Sequence, residues 1–157
     1  MKVWNVMGNT LKSNRGIFGD KGSLQTVLCC TRENETGRVL TGTMDGSIYS
    51  WTGNELEVAL TNIAPGPIYS IISHPEGYVA AGKFGHIIML NNELESVCEL
   101  SLGDFDECLA TSYIRSVSIS GPELLIGWVV KWCMPDTLKY SKNLNFPERL
   151  YTMLYFQ

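Results

Sequence analysis

The sequence lacks any long apolar run. None of its hydrophobic stretches reaches the roughly 18 to 20 consecutive apolar residues that a helix needs to cross a bilayer. Met1 and Lys2 are followed by a strand-like segment, without the apolar stretch of a secretory signal peptide. These absences argue against a membrane partner and predict a soluble, cytoplasmic chain.

Positive charge is also scarce. The chain has 12 lysines and arginines against 16 aspartates and glutamates, which gives a net charge of −4. Basic residues are dispersed along the sequence, as at Lys12, Arg15, Lys131, Lys139 and Lys142. A protein that holds nucleic acid by its phosphates needs a concentrated basic face. We therefore expect no nucleic-acid partner.

Side chains suited to catalysis or metal binding are few. There are only two histidines, and no glycine-rich run could cradle nucleotide phosphates. Five cysteines occur without metal-ligand spacing, so we interpret them as small buried hydrophobic residues. They are Cys29, Cys30, Cys98, Cys108 and Cys133. The sequence thus predicts a protein that is not an enzyme and has no catalytic, cofactor or metal site.

The histidines and one acidic cluster have ordinary interpretations. A catalytic base must sit beside a nucleophile and is usually oriented by a third group. His74 falls in a turn before Pro75 and His86 begins a strand, so surface and turn roles are favoured. The cluster of Asp104, Asp106 and Glu107 could offer oxygen ligands to a hard cation. It lacks the glycine and spacing of an EF-hand loop, which favours a solvated acidic connector.

What the chain does contain is a repeated hairpin. Residues 38–51 predict two short strands joined through Asp45-Gly46, a pair that tolerates positive φ. About forty residues later, residues 78–90 repeat the pattern. In this comparison Gly82 takes the place of Gly42, and Phe84-Gly85 replaces Asp45-Gly46.

Two further segments echo these hairpins. Residues 124–127 resemble residues 39–42, and residues 114–117 resemble residues 68–71. A period of about 40 to 45 residues, with four strands and a third strand that tends to end in tryptophan, is typical of β-propeller blades. The positions that define the repeat are predicted to be Gly42, Asp45, Gly46, Trp51, Gly82, Gly85 and Gly127.

The predicted fold is all-β, a partial propeller over residues 1–127. It has about two complete four-stranded blades, at 24–61 and 68–102, and parts of two others at 1–13 and 113–127. Alternating apolar residues in the two outermost strands predict that each has one wet face. Closed propellers have about four to eight blades, so we expect the remaining blades to be absent from this chain.

Residues 128–157 do not continue the repeat. Pro135 cannot donate to a central strand ladder, and the blade pattern does not return. We interpret this region as a divergent tail of unknown structure. It is either a truncated, spliced or mis-joined end, or a capping segment whose Tyr151, Tyr155 and Phe156 cover an exposed blade face.

Several segments resemble a known family. Residues 15–19, 24–29, 39–42 and 46–51 are similar to WD-repeat blades of the echinoderm microtubule-associated-protein-like family. The resemblance extends over residues 1–127, although the Trp-Asp ending of a strict WD repeat is missing, as at Trp51-Thr52. It implies an intracellular, cytoskeletal scaffold with protein partners, among them tubulin or microtubules.

The resemblance transfers no site residues. Tubulin has an acidic surface, so direct binding by these blades requires a local basic patch, and the sequence does not show one. The alternative is a WD-repeat scaffold of an unrelated complex, for example in trafficking or ubiquitin ligation, without tubulin binding.

Overall fold

A computed structural model describes residues 1–33, 36–120, 123–129, 143–146 and 149–152. Two short 3-10 helices, at Leu102–Asp104 and Glu107–Leu109, are the only helices in those ranges. All other regular structure there is strand. The strands are β1 (Lys2–Met7), β2 (Thr10–Arg15), β3 (Val27–Arg32), β4 (Val39–Thr43), β5 (Ile48–Thr52), β6 (Glu55–Leu60), β7 (Ile68–His74), β8 (Gly77–Gly82), β9 (His86–Leu90), β10 (Ser96–Ser101), β11 (Tyr113–Ser120), β12 (Glu123–Val129), β13 (Asn143–Phe146) and β14 (Arg149–Thr152).

The strands form antiparallel sheets in chain order. Strands β3 to β6 make one four-stranded sheet, β7 to β10 make a second, and β1–β2, β11–β12 and β13–β14 are two-stranded. The first strands of neighbouring sheets lie side by side, with β7 in contact with both β3 and β11. The sheets therefore fan out from a common axis. This arrangement confirms an all-β fold and a partial propeller with two complete four-stranded blades.

The core lies between consecutive sheets. Successive side chains of a strand point to opposite faces, so β8 contributes to two hydrophobic clusters at once. Tyr78 and Ala80 pack toward Leu40 of the first sheet, whereas Val79 and Ala81 join the cluster shared with the third blade. This two-sided burial explains why β8 reads as a continuous apolar run.

Strand boundaries differ from the predictions at three places. The turn of the β1–β2 hairpin lies at Gly8 (φ +58°), and β2 continues to Arg15, beyond the predicted end of this part-blade at residue 13. Strand β3 begins at Val27, and Leu24 is exposed. In the third blade Trp128 pairs with Ile114, which carries β12 beyond the expected end at residue 127. Cross-strand partners, which local sequence does not reveal, set these ends.

The region predicted to be a divergent tail contains the β13–β14 hairpin. Tyr151 lies in β14, but the proposed aromatic cover formed with Tyr155 and Phe156 falls outside the described residues. The division of the chain at residue 127 remains a prediction.

The predicted alternation is wrong for β6. A bulge shifts the register so that Leu56 pairs with Trp51 and Val58 pairs with Ser50. Leu56 therefore packs on the Trp51 face, while Leu60 packs on the opposite face. A bulge reverses which side chains share a face, because alternation has a period of two. In β10 the alternation is confirmed, since Cys98 and Leu100 are half-buried and Glu99 between them is exposed.

The correspondence between Gly42 and Gly82 is also wrong. Gly42 pairs with Cys29 and Gly127 with Ser116, but the equivalent partner in the second blade, Ser70, pairs with Ala81. Gly82 instead occupies the position of Thr43, one residue later. Both hairpin registers are centred on the turn, so Phe84 does correspond to Asp45.

Candidate functional site

The turn of the β4–β5 hairpin is held by side-chain hydrogen bonds. Gly46 adopts a left-handed conformation (φ +85°), whereas Asp45 does not. The Asp45 Oδ1 accepts hydrogen bonds from the Thr43 hydroxyl (2.5 Å) and from the Ser47 backbone N–H (3.2 Å). This is the way an aspartate replaces a missing backbone partner in a tight turn. The role of Asp45 here is structural.

These hydrogen bonds should make stability depend on pH. Partial burial acts to raise the pKa of Asp45, but hydrogen bonds from Thr43 and Ser47 outweigh it and hold the pKa below its usual 3.8. The folded state thus favours the carboxylate, and its contribution is present above pH 3.8 and lost as the pH falls through the folded-state value. We expect Asp45→Asn to flatten that acid limb in urea melts between pH 6 and pH 2.5. An unchanged limb would contradict this, and Asp20→Asn is the matched control.

Trp51 anchors the first complete blade. Its side chain is fully buried, and its indole N–H donates to the Thr41 hydroxyl across β4 and β5 at 3.0 Å. The ring of Phe18 stands edge-on to it, with centroids 5.1 Å apart and an interplanar angle of 82°. Phe18 therefore covers the blade face, as expected for an apolar residue in the loop between blades. Ile17 is exposed, and its backbone pairs with β6 at Glu55.

The bond from Trp51 to Thr41 offers a clean test. In the Thr41→Val variant the shape of the side chain is kept, but the buried indole N–H loses its acceptor. An unsatisfied buried donor costs about 1 to 3 kcal/mol. We expect the free energy of unfolding to drop by that amount in urea titrations, while Thr41→Ser, which keeps the hydroxyl, loses less. Equal losses in the two variants would show that the hydrogen bond is not the cause.

At the remaining repeat positions a side chain would be strained or would collide with a neighbour. Gly85 adopts φ +63°, next to Phe84 at φ +62°. A Cβ atom on Gly127 would lie 2.5 Å from the Ser116 Oγ. The predicted repeat positions are spread over separate blades instead of converging on one site. Their part in the molecule is to shape strands and turns.

The two histidines are not arranged for catalysis within the described part of the chain. The His74 Nδ1 accepts a hydrogen bond from the Glu76 backbone N–H at 3.3 Å. The His86 Nε2 lies 3.7 Å from Glu99 Oε2. Burial lowers the pKa of His86 below 6.5, and Glu99 opposes this shift in part. Neither imidazole has a hydroxyl or thiol nucleophile among its hydrogen-bond partners in the described ranges.

The acidic connector begins with a cap of a 3-10 helix. The Asp104 carboxylate accepts a hydrogen bond from the Ser101 backbone N–H at 3.3 Å, and the Ser101 hydroxyl accepts one from Gly103 N–H. Among described residues no group of three or more histidine, cysteine, aspartate or glutamate side chains is placed to bind a metal ion. The Asp104 carboxylate therefore helps to cap the 3-10 helix that follows β10.

The cysteines differ in environment. Cys29 is half-buried, its thiol donates to the Ile68 carbonyl at 3.4 Å, and burial raises its pKa to about 11. It therefore stays protonated at neutral pH. Cys30, on the opposite face of β3, is exposed, so its prediction as a buried residue is wrong. Cys98 is half-buried, while Cys133 and the side chain of Cys108 fall outside the described residues.

Beyond the repeat positions, the first strands share a feature that sequence reasoning missed. Each has a register shift that leaves one residue unpaired: Leu28 in β3, Tyr69 in β7 and Arg115 in β11. A β-bulge of this kind redirects the extra side chain. The similarity between residues 68–71 and residues 114–117 aligns Tyr69 with Arg115. This alignment was the signal in the sequence that could have revealed the shared bulge position.

Two of these three bulge side chains, Tyr69 and Arg115, meet where β7 and β11, the innermost strands of their sheets, lie side by side. The Arg115 guanidinium lies 4.1 Å from the ring centre of Tyr69 and 5.6 Å from that of Tyr113. The two tyrosine rings are 6.2 Å apart. A cation this close to aromatic faces is attracted by their negative potential. Arg115 is exposed, and both tyrosines are half-buried.

A second cation lies beside this group. Lys83 forms a backbone bridge with Tyr113, and its Nζ lies 4.5 Å from the Phe84 ring centre. Within the described residues neither Lys83 nor Arg115 forms an ion pair with a carboxylate. We call the five residues together the inner rim cluster: Tyr69, Lys83, Phe84, Tyr113 and Arg115.

In the described ranges no helix is long and apolar enough to cross a membrane.

The chain is similar to a known WD-repeat protein. No family model matches the chain. The chain is 28% identical over 125 residues to the ciliary WD repeat-containing protein ctxp80 of Euplotoides octocarinatus. The match covers 80% of this chain and 16% of that protein, so the chain spans a small part of its relative. The similarity supports a WD-repeat chain. It supports WD repeats in general, without selecting the echinoderm microtubule-associated-protein-like family.

Proposed function

We propose that this chain is part of a non-catalytic WD-repeat scaffold that associates with microtubules in the cytoplasm. The observation that carries the proposal is the match to a WD repeat-containing protein whose name places it in cilia. Cilia are built on microtubules. The resemblance of residues 15–51 to the echinoderm microtubule-associated-protein-like family points to the same cytoskeletal setting.

The architecture fits a protein-binding role. Sheets that stack around an axis bury their faces against one another and leave loops and first-strand bulges at the rims. Binding residues are often found on loops and edges that a rigid scaffold positions. Lys83 and Arg115 of the inner rim cluster support the proposal, because positive side chains favour contact with an acidic surface.

Microtubule co-sedimentation tests the cytoskeletal part of the proposal. We expect the full chain to pellet with polymerised tubulin and to be released as salt is raised, because the contact is electrostatic. A pellet fraction equal to the tubulin-free control contradicts microtubule binding. A pull-down that enriches trafficking or ubiquitin-ligation machinery without tubulin would then support the alternative scaffold.

A further inference from the structure

We propose that the inner rim cluster binds an acidic peptide segment of a partner protein. In this arrangement Lys83 and Arg115 contact carboxylates, while the ring faces of the cluster pack against the stems of the acidic side chains. The inference deepens the proposed scaffold role, on which it rests, by naming the surface and the chemistry of its partner.

Arg115 is held in place, and among the described residues no hydrogen-bond partner occupies its donors. Stacking on the rings of Tyr69 and Tyr113 restrains the guanidinium without using its N–H groups. A guanidinium with free donors can bind a carboxylate through two parallel hydrogen bonds. Because the side chain is already restrained, less conformational entropy is lost on binding.

The backbone beneath the inner rim cluster is fixed by hydrogen bonds. The Val117 backbone N–H donates to the Ser70 hydroxyl at 3.1 Å, which ties β11 to β7 directly below the two bulges. Lys83 is tied to the same place by its N–H bond to the Pro67 carbonyl at 3.0 Å. Lys83 and Arg115 are 32 residues apart in sequence (115 − 83), but the Lys83 backbone pairs with Tyr113, whose ring lies 5.6 Å from the Arg115 guanidinium.

The charge of the inner rim cluster is opposite to that of the chain as a whole. The chain is acidic as a whole, but Lys83 and Arg115 have no carboxylate partner among the residues that the structure describes. The nearby Asp45 carboxylate is engaged by Thr43 and Ser47. Two cations on an acidic background favour a short acidic segment. A nucleic acid backbone would need a longer basic track.

The residue types of the inner rim cluster are those typical of binding surfaces. Tyrosine and arginine are enriched among the residues that contribute most to binding at protein interfaces. The five residues of the inner rim cluster combine three aromatic rings with two cations, all exposed or half-buried. This combination matches an interface centre better than it matches an ordinary solvated rim.

The test uses the full chain and a fluorescent peptide of alternating glutamate and glycine, followed by fluorescence polarisation. We expect saturable binding that weakens with salt. The double variant Lys83→Ala/Arg115→Ala should bind about tenfold more weakly or worse. The matched control, Lys12→Ala/Arg15→Ala, makes the same change in net charge on exposed β2 and should bind like the parent chain.

A second pair of variants isolates the aromatic support. Tyr69→Ala leaves every charge in place but removes one ring from Arg115, so we expect weaker binding of the acidic peptide. Tyr69→Phe keeps the ring and should restore it. Circular dichroism melts of each variant establish that the fold is retained.

Several outcomes would overturn the inference. These are no binding of the acidic peptide, equal losses in the two double variants, or equal affinity for a lysine–glycine peptide or a single-stranded oligonucleotide. The two proposals fail separately. If Lys83→Ala/Arg115→Ala still pellets with microtubules as the parent chain does, but no acidic peptide binds, the cytoskeletal role stands and the assignment of this surface is wrong.

Discussion

Gly82→Ala is expected to lower the free energy of unfolding by about 3 to 5 kcal/mol, the range of severe single substitutions. A Cβ atom at this position would lie 2.0 Å from the Pro67 carbonyl oxygen and 3.0 Å from the Ile68 Cα. Both are backbone atoms of the neighbouring strand segment and cannot rotate away. The strand pair β7–β8 must therefore separate or bend.

Urea titration of the full chain, followed by circular dichroism, measures this effect. Gly66→Ala is the matched control, because a Cβ atom there would lie 3.4 Å from the flexible Lys83 Cδ, an ordinary contact. It should change stability by less than about 1 kcal/mol. If both variants unfold at the same urea concentration as the parent chain, the close approach at Gly82 is not a constraint on the fold.

Trp51→Ala is the second change with a large expected effect. It removes a fully buried indole, its edge-on contact with Phe18 and its hydrogen bond to Thr41. Truncating a buried tryptophan to alanine costs about 3 to 5 kcal/mol, because transfer free energy is lost and a cavity remains. A loss of this size is a large part of the total free energy of unfolding of a typical small domain, which is about 5 to 15 kcal/mol.

Trp4→Ala provides the comparison for this variant. Trp4 lies in β1 and is 56% exposed, so the same chemical change should cost less than about 1 kcal/mol. Urea midpoints for the two variants, measured side by side, separate burial from residue type. Similar midpoints would mean that Trp51 does not anchor the blade.

The repeat could be predicted because its hairpins are local. The Asp45-Gly46 turn and the apolar strands on either side of it lie within a few residues of one another, so sequence pattern carries them. The same reasoning found β9 with its observed ends at His86 and Leu90. Propensity and turn chemistry act over distances that a short stretch of sequence contains.

Register was harder to predict. Matching Gly82 with Gly42 overlooked that pairing is centred on the turns, which moves Gly82 by one residue. The bulge opposite Ser50 and Trp51 likewise placed Leu56 and Leu60 on different faces. A bulge depends on how a strand fits its partner, and one extra residue reverses every side chain that follows.

The candidate binding surface could not be assembled from sequence. Lys83 and Arg115 are separated by 32 residues (115 − 83), and each is an isolated basic residue among uncharged neighbours. Tyr69 and Arg115 come together because β7 contacts β11 and the bulge in each strand redirects one side chain, and Lys83 joins them through its backbone bridge to Tyr113.

The sequence by itself determined the all-β class, the repeated hairpins and the number of complete blades, since short-range turn chemistry and apolar pattern specify them. Tertiary structure alone decided the bulges, the faces of β6 and the meeting of aromatic rings with two cations near the axis. Those features arise where strands far apart in the chain pack together. The energy of such contacts depends on both partners and cannot be inferred from the sequence of one segment.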